Sequence, residues 1–380
     1  MAKIKRLILG LIPNQVCDLK CEYCYISQVN AWEKPQKLSY SPQYIAKCLS
    51  KKRLGGTCLI NLTGNGETML QPDLPELVEE LLKEGHFVEI VTNGTITKKI
   101  NEILKMEKKL LSRLFFKISF HYKELKRTGL MTQFFKNVRA IHDAGASFTL
   151  ELMAYDEIEN DIEDIIKICK DNVGAVCHAT IGRNDKRKDR ALLSSHSKEE
   201  FRKIWKPLDS KMTDFKLDVI DVKRKEFCYA GAWSLFVNMY TGETQPCYWQ
   251  PYNQNIFKNV DKPIMFKPVG CTCSQPYCTN AHAHLTWGLI PELNAPTYKE
   301  IRNRDCSNGE SWLTDECKKF FSSKLSESNK EYSKTHKIIY TIIYPFYLMI
   351  WFFRDFKNNI GRLKKYFKRI GKRLKRNEKK

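Results

Sequence analysis

The chain has 380 residues, with 64 Lys and Arg against 43 Asp and Glu, and a formal net charge of +21. At 42% apolar and 12% aromatic it can bury a full core, which excludes wholesale disorder, and no Gly or Pro bias points to a fibrous protein. The charge is uneven: residues 354–380 hold 13 Lys and Arg against two acidic residues, so the rest of the chain is only mildly basic.

The start of the chain is basic over residues 1–5, but the apolar run 7–12 is six residues long and meets Pro13. A secretory h-region needs roughly 7–15. The expectation is a cytoplasmic, reducing location, where clustered cysteines bind metal more often than they pair. Strand patterns follow at 4–12, 57–62, 87–91, 114–120, 148–153 and 175–181. Helical patterns lie between or after them at 41–53, 73–84, 98–110, 131–144, 158–172 and 197–212. Ser41 and Asp73 are candidate N-caps, Pro42 fits a first helical position, and Gly85 and Gly145 fit helix stops. Strand–helix alternation of this length implies parallel strands with helices outside. Six such units suit a partial barrel or an open doubly wound sheet, and the pattern alone does not separate them.

After residue 213 the helical period fades and Cys, Pro and turn residues rise. The expected division is 1–213 as a core, 214–305 as a small Cys-rich domain, 306–337 as a polar, partly helical linker, and 338–380 as an apolar segment with a basic tail.

The sharpest signal is Cys17-Asp-Leu-Lys-Cys21-Glu-Tyr-Cys24, directly after the first strand. In a parallel α/β fold that loop lies at the carboxyl edge of the sheet, where active sites gather. Three thiolates on a short loop suit three irons of a [4Fe–4S] cluster. A zinc knuckle would recruit a fourth ligand at short spacing, and the next cysteines are Cys48 and Cys58. Those two, with Cys169 and Cys177, fall in helix or strand patterns and read as core.

On these residues the sequence resembles the radical S-adenosylmethionine (SAM) superfamily, whose hallmark is CxxxCx(aromatic)C, with Tyr23 in the aromatic place. The resemblance covers roughly residues 4–210 and implies a partial (β/α)6 barrel. Asn65-Gly66-Glu67-Thr68, after the second strand, is similar to the family's Gly-Gly-Glu-Pro motif, with Asn65 and Thr68 departing from it. Thr92 and Asn93 after the third strand, and Ser119 and Arg183 at the ends of the fourth and sixth, stand where the family places SAM contacts. The resemblance implies SAM cleavage to a 5′-deoxyadenosyl radical that abstracts hydrogen from an unactivated carbon, and a reductant such as flavodoxin or ferredoxin.

Cys228 and, nineteen residues on, Cys247 in Gly242-x4-Cys247 resemble the opening of the SPASM or twitch extension of that family. The later Cys271-x-Cys273-x4-Cys278-x3-His282 departs from the full pattern, with His282 where a cysteine is expected. The resemblance implies one auxiliary [4Fe–4S] cluster held by Cys228, Cys247 and two of Cys271, Cys273 and Cys278, with His282 as a substitute ligand. A zinc site is the competing reading. Tyr25, Tyr122, Tyr229 and Cys273 are candidate hydrogen-atom donors, or simply wall and core.

Residues 338–353 are apolar but short of the roughly 20 needed to span a bilayer, with Pro345 inside. Phe356, Ile360, Leu363, Phe367, Ile370 and Leu374 then recur every three or four residues among Lys and Arg, the pattern of an amphipathic cationic helix. A segment lying on the inner, anionic membrane face is expected. A buried core helix, nucleic-acid backbone binding or a coiled-coil partner are weaker alternatives. The tail points to a lipid-linked or surface-glycan substrate that is oxidised or epimerised. A peptide or protein maturase and a zinc-stabilised, non-catalytic membrane adaptor are the alternatives.

Overall fold

The computed structural model describes residues 3–29, 37–248, 250, 254–354 and 360. Six parallel strands form in chain order: β1 (Arg6–Ile12), β2 (Cys58–Gly64), β3 (Phe87–Thr92), β4 (Leu114–Phe120), β5 (Ser147–Ala154) and β6 (His178–Ile181). Three more follow: β7 (Ser234–Asn238), β8 (Glu243–Gln245) and β9 (Gln254–Asn255). The sheet order is β6-β5-β4-β3-β2-β1-β7-β8-β9. Each of β1 to β6 pairs in parallel with its sequence neighbour, so the order never reverses. Every crossover turns the same way, which puts the helices on one face and selects the partial barrel over a doubly wound sheet. The Cys-rich segment joins this sheet: β7 runs parallel to β1, and β8 and β9 continue it antiparallel.

Strand alternation sorts the two faces. On β4, Leu114, Phe116, Ile118 and Phe120 pack into the main core under the helices, as Phe148, Leu150 and Leu152 do on β5. The intervening Lys117, Ser119, Glu151 and Met153 face the barrel interior, where cavities open. Cys48, Cys58, Cys169 and Cys177 are all buried core residues, as expected.

Several helices are shorter than their patterns. The 41–53 segment splits into Pro42–Cys48 and Lys51–Leu54. The turn between them frees the Leu49 carbonyl to face His86 Nε2 at 2.8 Å. The 98–110 segment splits into Thr97–Ile103 and Lys108–Leu111, and 158–172 begins as a 3-10 turn before Ile162–Val173. The 197–212 segment ends at Trp205, because Pro207 has no amide to continue the ladder, and a separate helix covers Lys211–Val219. Ser41 accepts from the Tyr44 amide as a cap should. Asp73 does not cap; its carboxylate accepts from Gln71 Nε2 instead.

The stretch expected as a polar linker is partly core. Trp312, Leu313, Phe320, Phe321 and Leu325 are buried, Phe320 stacks on Phe87 at 3.9 Å, and the Phe148 amide donates to the Trp312 carbonyl. Residues Met1–Lys330 form one compact unit and Glu331–Lys380 a second. In the second, one helix runs Lys334–Arg354 with Pro345 inside it, and Ile338, Ile342, Phe346 and Phe353 are exposed. No helix among the described residues is long and apolar enough to cross a membrane. The cationic stripe from Phe356 to Leu374 lies outside the described residues apart from Ile360.

The open edge of β6 is sealed by side chains. The Ala179 amide donates to Ser210 Oγ at 3.0 Å, and its carbonyl accepts from Ser210 Oγ and Thr213 Oγ1. This anchors the helix Lys211–Val219 across the barrel gap. Ser210→Ala strands a buried amide and is expected to cost about 1–3 kcal/mol in a denaturant melt, while Ser210→Thr recovers most of it.

Candidate active site

A cavity of about 580 Å3 opens at the carboxyl ends of the strands. Cys17, Cys21 and Cys24 line it, and so do Asn65, Gly66, Glu67, Thr92, Asn93, Ser119 and Arg183. The structure therefore brings every residue expected at the cofactor site to one hollow.

The cysteine loop is held by the loops after β2, β3 and β4. The Glu67 amide donates to the Val16 carbonyl at 2.8 Å, the Gly66 amide to the Asn14 carbonyl, and Asn14 Nδ2 to the Glu67 carbonyl. A β-carbon on Gly66 would lie 2.1 Å from the Val16 carbonyl oxygen, so only glycine lets the two backbones pass. Asp18 accepts from Asn93 Nδ2 and Thr95 Oγ1, and the Lys20 amide donates to Glu124, which Arg127 holds with two bonds. Tyr23 reaches His121 Nδ1 at 2.6 Å and packs against Tyr155.

Glu67 is buried, and its carboxylate serves the scaffold: Thr92 Oγ1, the Asn93 amide and the Met69 amide donate to it. Its side chain thus ties β2 to β3. Burial raises the Glu67 carboxyl to about 7, against the three donors. Burial also pushes the Cys17 and Cys21 thiols up to about 12. Buried thiols of this kind ionise when a cationic centre binds them, and with Asn93 Nδ2 3.7 Å from Cys17 Sγ the donor set fits a metal cluster with an open fourth position.

Farther into the barrel lies a charged network that sequence patterns did not reveal. Glu151 accepts from Arg302 Nη1 and lies 3.5 Å from Lys117 Nζ. Although burial opposes it, Lys117 and Arg302 hold the Glu151 carboxyl well below its usual range. Glu89 accepts from Asn61 and from the Tyr298 hydroxyl. Lys216 donates to Thr180 Oγ1 at 2.5 Å, and burial lowers its ammonium to about 7. These residues come from elements as much as 209 positions apart; the one local signal was a charged residue inside an apolar strand, at Glu89, Lys117 and Glu151.

Cys228 and Gly270 exchange backbone hydrogen bonds, which sets Cys228 beside Cys271. Burial pushes the Cys228 thiol up to about 12, and Cys247, Cys273 and Cys271 add to the effect. Cys278 is raised in the same way, by burial and then by Cys228, Cys247 and Cys273. The five cysteines thus form one neighbourhood. His282, expected as a substitute ligand, lines the barrel cavity, where Lys117, Lys216 and Glu151 are charged neighbours, and its Nδ1 is buried without a hydrogen-bond partner. Among the other candidates, the Tyr122 hydroxyl is bound to Asp161 and Asp164, and Tyr229 is buried in a stack on Trp233; neither lines the cavity. Cys273 is not among the cavity-lining residues, and the Tyr25 side chain lies outside those described.

Residues 11–169 match the family model described as the radical SAM superfamily. The chain is 24% identical over 268 residues to the antilisterial bacteriocin subtilosin biosynthesis protein AlbA of Bacillus subtilis strain 168, covering 67% of this chain and 58% of that protein. It is 33% identical over 96 residues to the 7-carboxy-7-deazaguanine synthase of Aquifex aeolicus strain VF5, covering 24% of this chain and 40% of that protein. The chain thus spans less than two thirds of the length of these curated relatives. Among solved structures, Streptococcus suis SuiB bound to S-adenosylmethionine superposes with a TM-score of 0.48 at 13% identity, covering 69% of this chain and 67% of that one.

Gly66→Ala is expected to destabilise the compact unit by about 1–3 kcal/mol in a guanidinium melt, because the Val16 backbone must move. Glu67 gives a pH signature. Its folded pKa, about 7, lies above the unfolded value of 4.5, so folding takes up a proton between them. Relative to Glu67→Gln, the wild type should lose stability as pH rises from about 4.5 through 7, by up to about 3 kcal/mol, and change no further above that. Parallel melts of the two proteins from pH 4.5 to 8.5 measure the difference.

Proposed function

We propose, on the premise that residues 11–169 make this chain a member of the radical SAM superfamily, that it is a radical SAM enzyme which modifies a peptide or protein. The observation that carries the substrate class is the extent of the likeness to the bacteriocin biosynthesis protein. At 67% of the chain it must run beyond residue 169, into the segment that carries the second cysteine set. A bacteriocin is a peptide or protein product. The expectation of a lipid-linked or surface-glycan substrate rested on the tail alone. The non-catalytic adaptor gives way as well, since Asn65 and Thr68, which motivated it, leave the loop after β2 tied to the cysteine loop.

In this reading Cys17, Cys21 and Cys24 hold a [4Fe–4S] cluster, and the surrounding Asn65, Gly66, Glu67, Thr92, Asn93 and Ser119 hold SAM, while Arg183, expected among the SAM contacts, lines the same cavity with one guanidinium nitrogen on the Thr279 carbonyl. Bound there, the two cofactors supply an electron and a 5′-deoxyadenosyl radical that removes hydrogen from an unactivated carbon. The chain's own part is placement. Glu67 locks the β2 and β3 loops together, Asp18 and Glu124 fix the cysteine loop, and Phe236, Tyr248 and Met153 give the cavity an apolar wall that limits water.

Cys228, Cys247, Cys271, Cys273 and Cys278 would supply the thiolates of an auxiliary cluster. A tetrahedral zinc site with 2.3 Å bonds needs its sulfurs about 3.8 Å apart. Among the described residues no three of these sulfurs lie within 4.8 Å of one another, so the tight tetrahedral zinc arrangement is not preformed here. A flavodoxin or ferredoxin would be the reductant. The exposed apolar helix Lys334–Arg354, followed in sequence by the cationic tail, supports peripheral attachment to an anionic membrane from the cytoplasmic side.

The test is anaerobic reconstitution with iron and sulfide, then SAM and dithionite. About eight irons per chain and 5′-deoxyadenosine are expected. Cys17→Ala, Cys21→Ala or Cys24→Ala should abolish 5′-deoxyadenosine; its retention in those variants would sink the reading. Cys228→Ala or Cys247→Ala should lower iron to about four while 5′-deoxyadenosine persists. Deletion of residues 338–380 should abolish cosedimentation with phosphatidylglycerol vesicles and leave 5′-deoxyadenosine formation intact.

A further inference from the structure

The barrel face of β4 to β6 carries more positive than negative charge. Lys117 on β4, Arg183 just past β6, Lys216 on the helix Lys211–Val219, and Arg302 surround the single carboxylate of Glu151. Glu151 is already engaged by Arg302 and Lys117. Glu89 is taken by Asn61 and Tyr298, and Asp185, which also lines the cavity, lies 4.0 Å from Arg190. Arg183 and Lys216 both line the cavity, and among the described residues neither has a carboxylate within ion-pair distance. Arg183 Nη1 donates to the Thr279 carbonyl, which leaves most of the guanidinium edge unused. Lys216 donates to Thr180 Oγ1, which leaves two ammonium hydrogens.

Two unpaired cations facing one water-poor hollow repel each other at a cost that low dielectric magnifies. Loss of a proton relieves it, and so does arrival of an anion. The first matches the setting of Lys216: burial, with Arg183 and Lys117 acting in the same direction against Glu151, lowers its ammonium to about 7. The second is open to a ligand. A planar monoanion matches a guanidinium edge and an ammonium together, whereas a dianionic phosphate would add repulsion from Glu151.

We propose that Arg183, Lys216 and Thr180 form a carboxylate-binding subsite in the cavity wall, and that it receives a carboxylate of the substrate. For a peptide this is an Asp or Glu side chain or a free C-terminus. The inference rests on the peptide-modifying reading above and narrows it to substrates that present an acid near the reacting carbon. The same chemistry has one other source, the carboxylate of SAM itself, and the experiment separates the two.

The full-length protein, reconstituted anaerobically and saturated with SAM, is titrated by calorimetry with acetyl-glutamate amide and, separately, with acetyl-glutamine amide. The charged probe should bind at least ten-fold more tightly than its neutral isostere at pH 6. Lys216 is faced by Glu151, Lys117, Arg183, Arg302 and His282, while Asp214 and Asp218 on its own helix lie beside Arg202. With its amine near 7, binding of the charged probe should weaken about ten-fold from pH 6 to pH 8. Lys216→Met should erase the preference and Lys216→Arg should keep it without the pH dependence. The wild-type pH series needs no variant, so a Lys216→Met protein that fails to fold does not rescue the proposal. Equal binding of the two probes at pH 6 overturns it. A preference seen only without SAM, and restored when decarboxylated SAM replaces SAM, assigns the subsite to the cofactor and overturns the substrate assignment. Absence of 5′-deoxyadenosine in the same preparations would overturn the radical-enzyme reading instead, independently of the calorimetry.

Discussion

Val16 and Gly66 pass so closely that one added carbon at residue 66 would collide with the Val16 backbone, and most of the site is organised around that contact. It presses the loop after β2 against the base of the cysteine loop. The Glu67 carboxylate then reaches across to the loop after β3, so three successive strand ends are bound into one rigid rim. A buried carboxyl with three donors is an expensive linchpin, since its desolvation must be offset by each of those bonds. Its value is geometric. Strand ends that would otherwise fray independently hold one shape.

The same barrel separates two kinds of work by the period of its strands. Residues on one phase, such as Leu114, Phe116 and Ile118, seal the sheet against the helices. Residues on the other phase, such as Asn61, Glu89, Lys117 and Glu151, meet across the lumen and are paired there. The segment after residue 280 completes that lumen, since Tyr298 and Arg302 supply the partners of Glu89 and Glu151. The interior is therefore closed by chain that lies far along the sequence from the strands it serves.

This distance explains what could be read from the sequence. Cys17, Cys21 and Cys24 declare themselves because their spacing is local, and Gly66, Thr92 and Asn93 because each follows a strand with a clear apolar pattern. The doubly wound alternative fell to strand order, which no local pattern encodes. The Lys216–Thr180 and Arg302–Glu151 pairings were invisible because they join elements with no shared period. His282 stands where the ligand pattern expects a cysteine, and only the fold shows that its short helix also sets it on the wall of the barrel cavity. Residues 306–337 read as linker because they are polar on average, whereas Trp312 and Phe320 within them carry packing.

The parallel pairing of β7 with β1 has a consequence for the two cysteine neighbourhoods. One follows the end of β1, and Cys228 and Cys247 bracket β7. Five residue pairs, from Leu7 with Ser234 to Leu11 with Asn238, register the two strands at a separation of about 4.8 Å. The strands that carry the two neighbourhoods are thus bolted together and do not swing on a tether. To part them the protein would have to shear a buried strand pair, so with a cluster held at each, as proposed above, an electron would cross a tunnelling distance set once, when the chain folds.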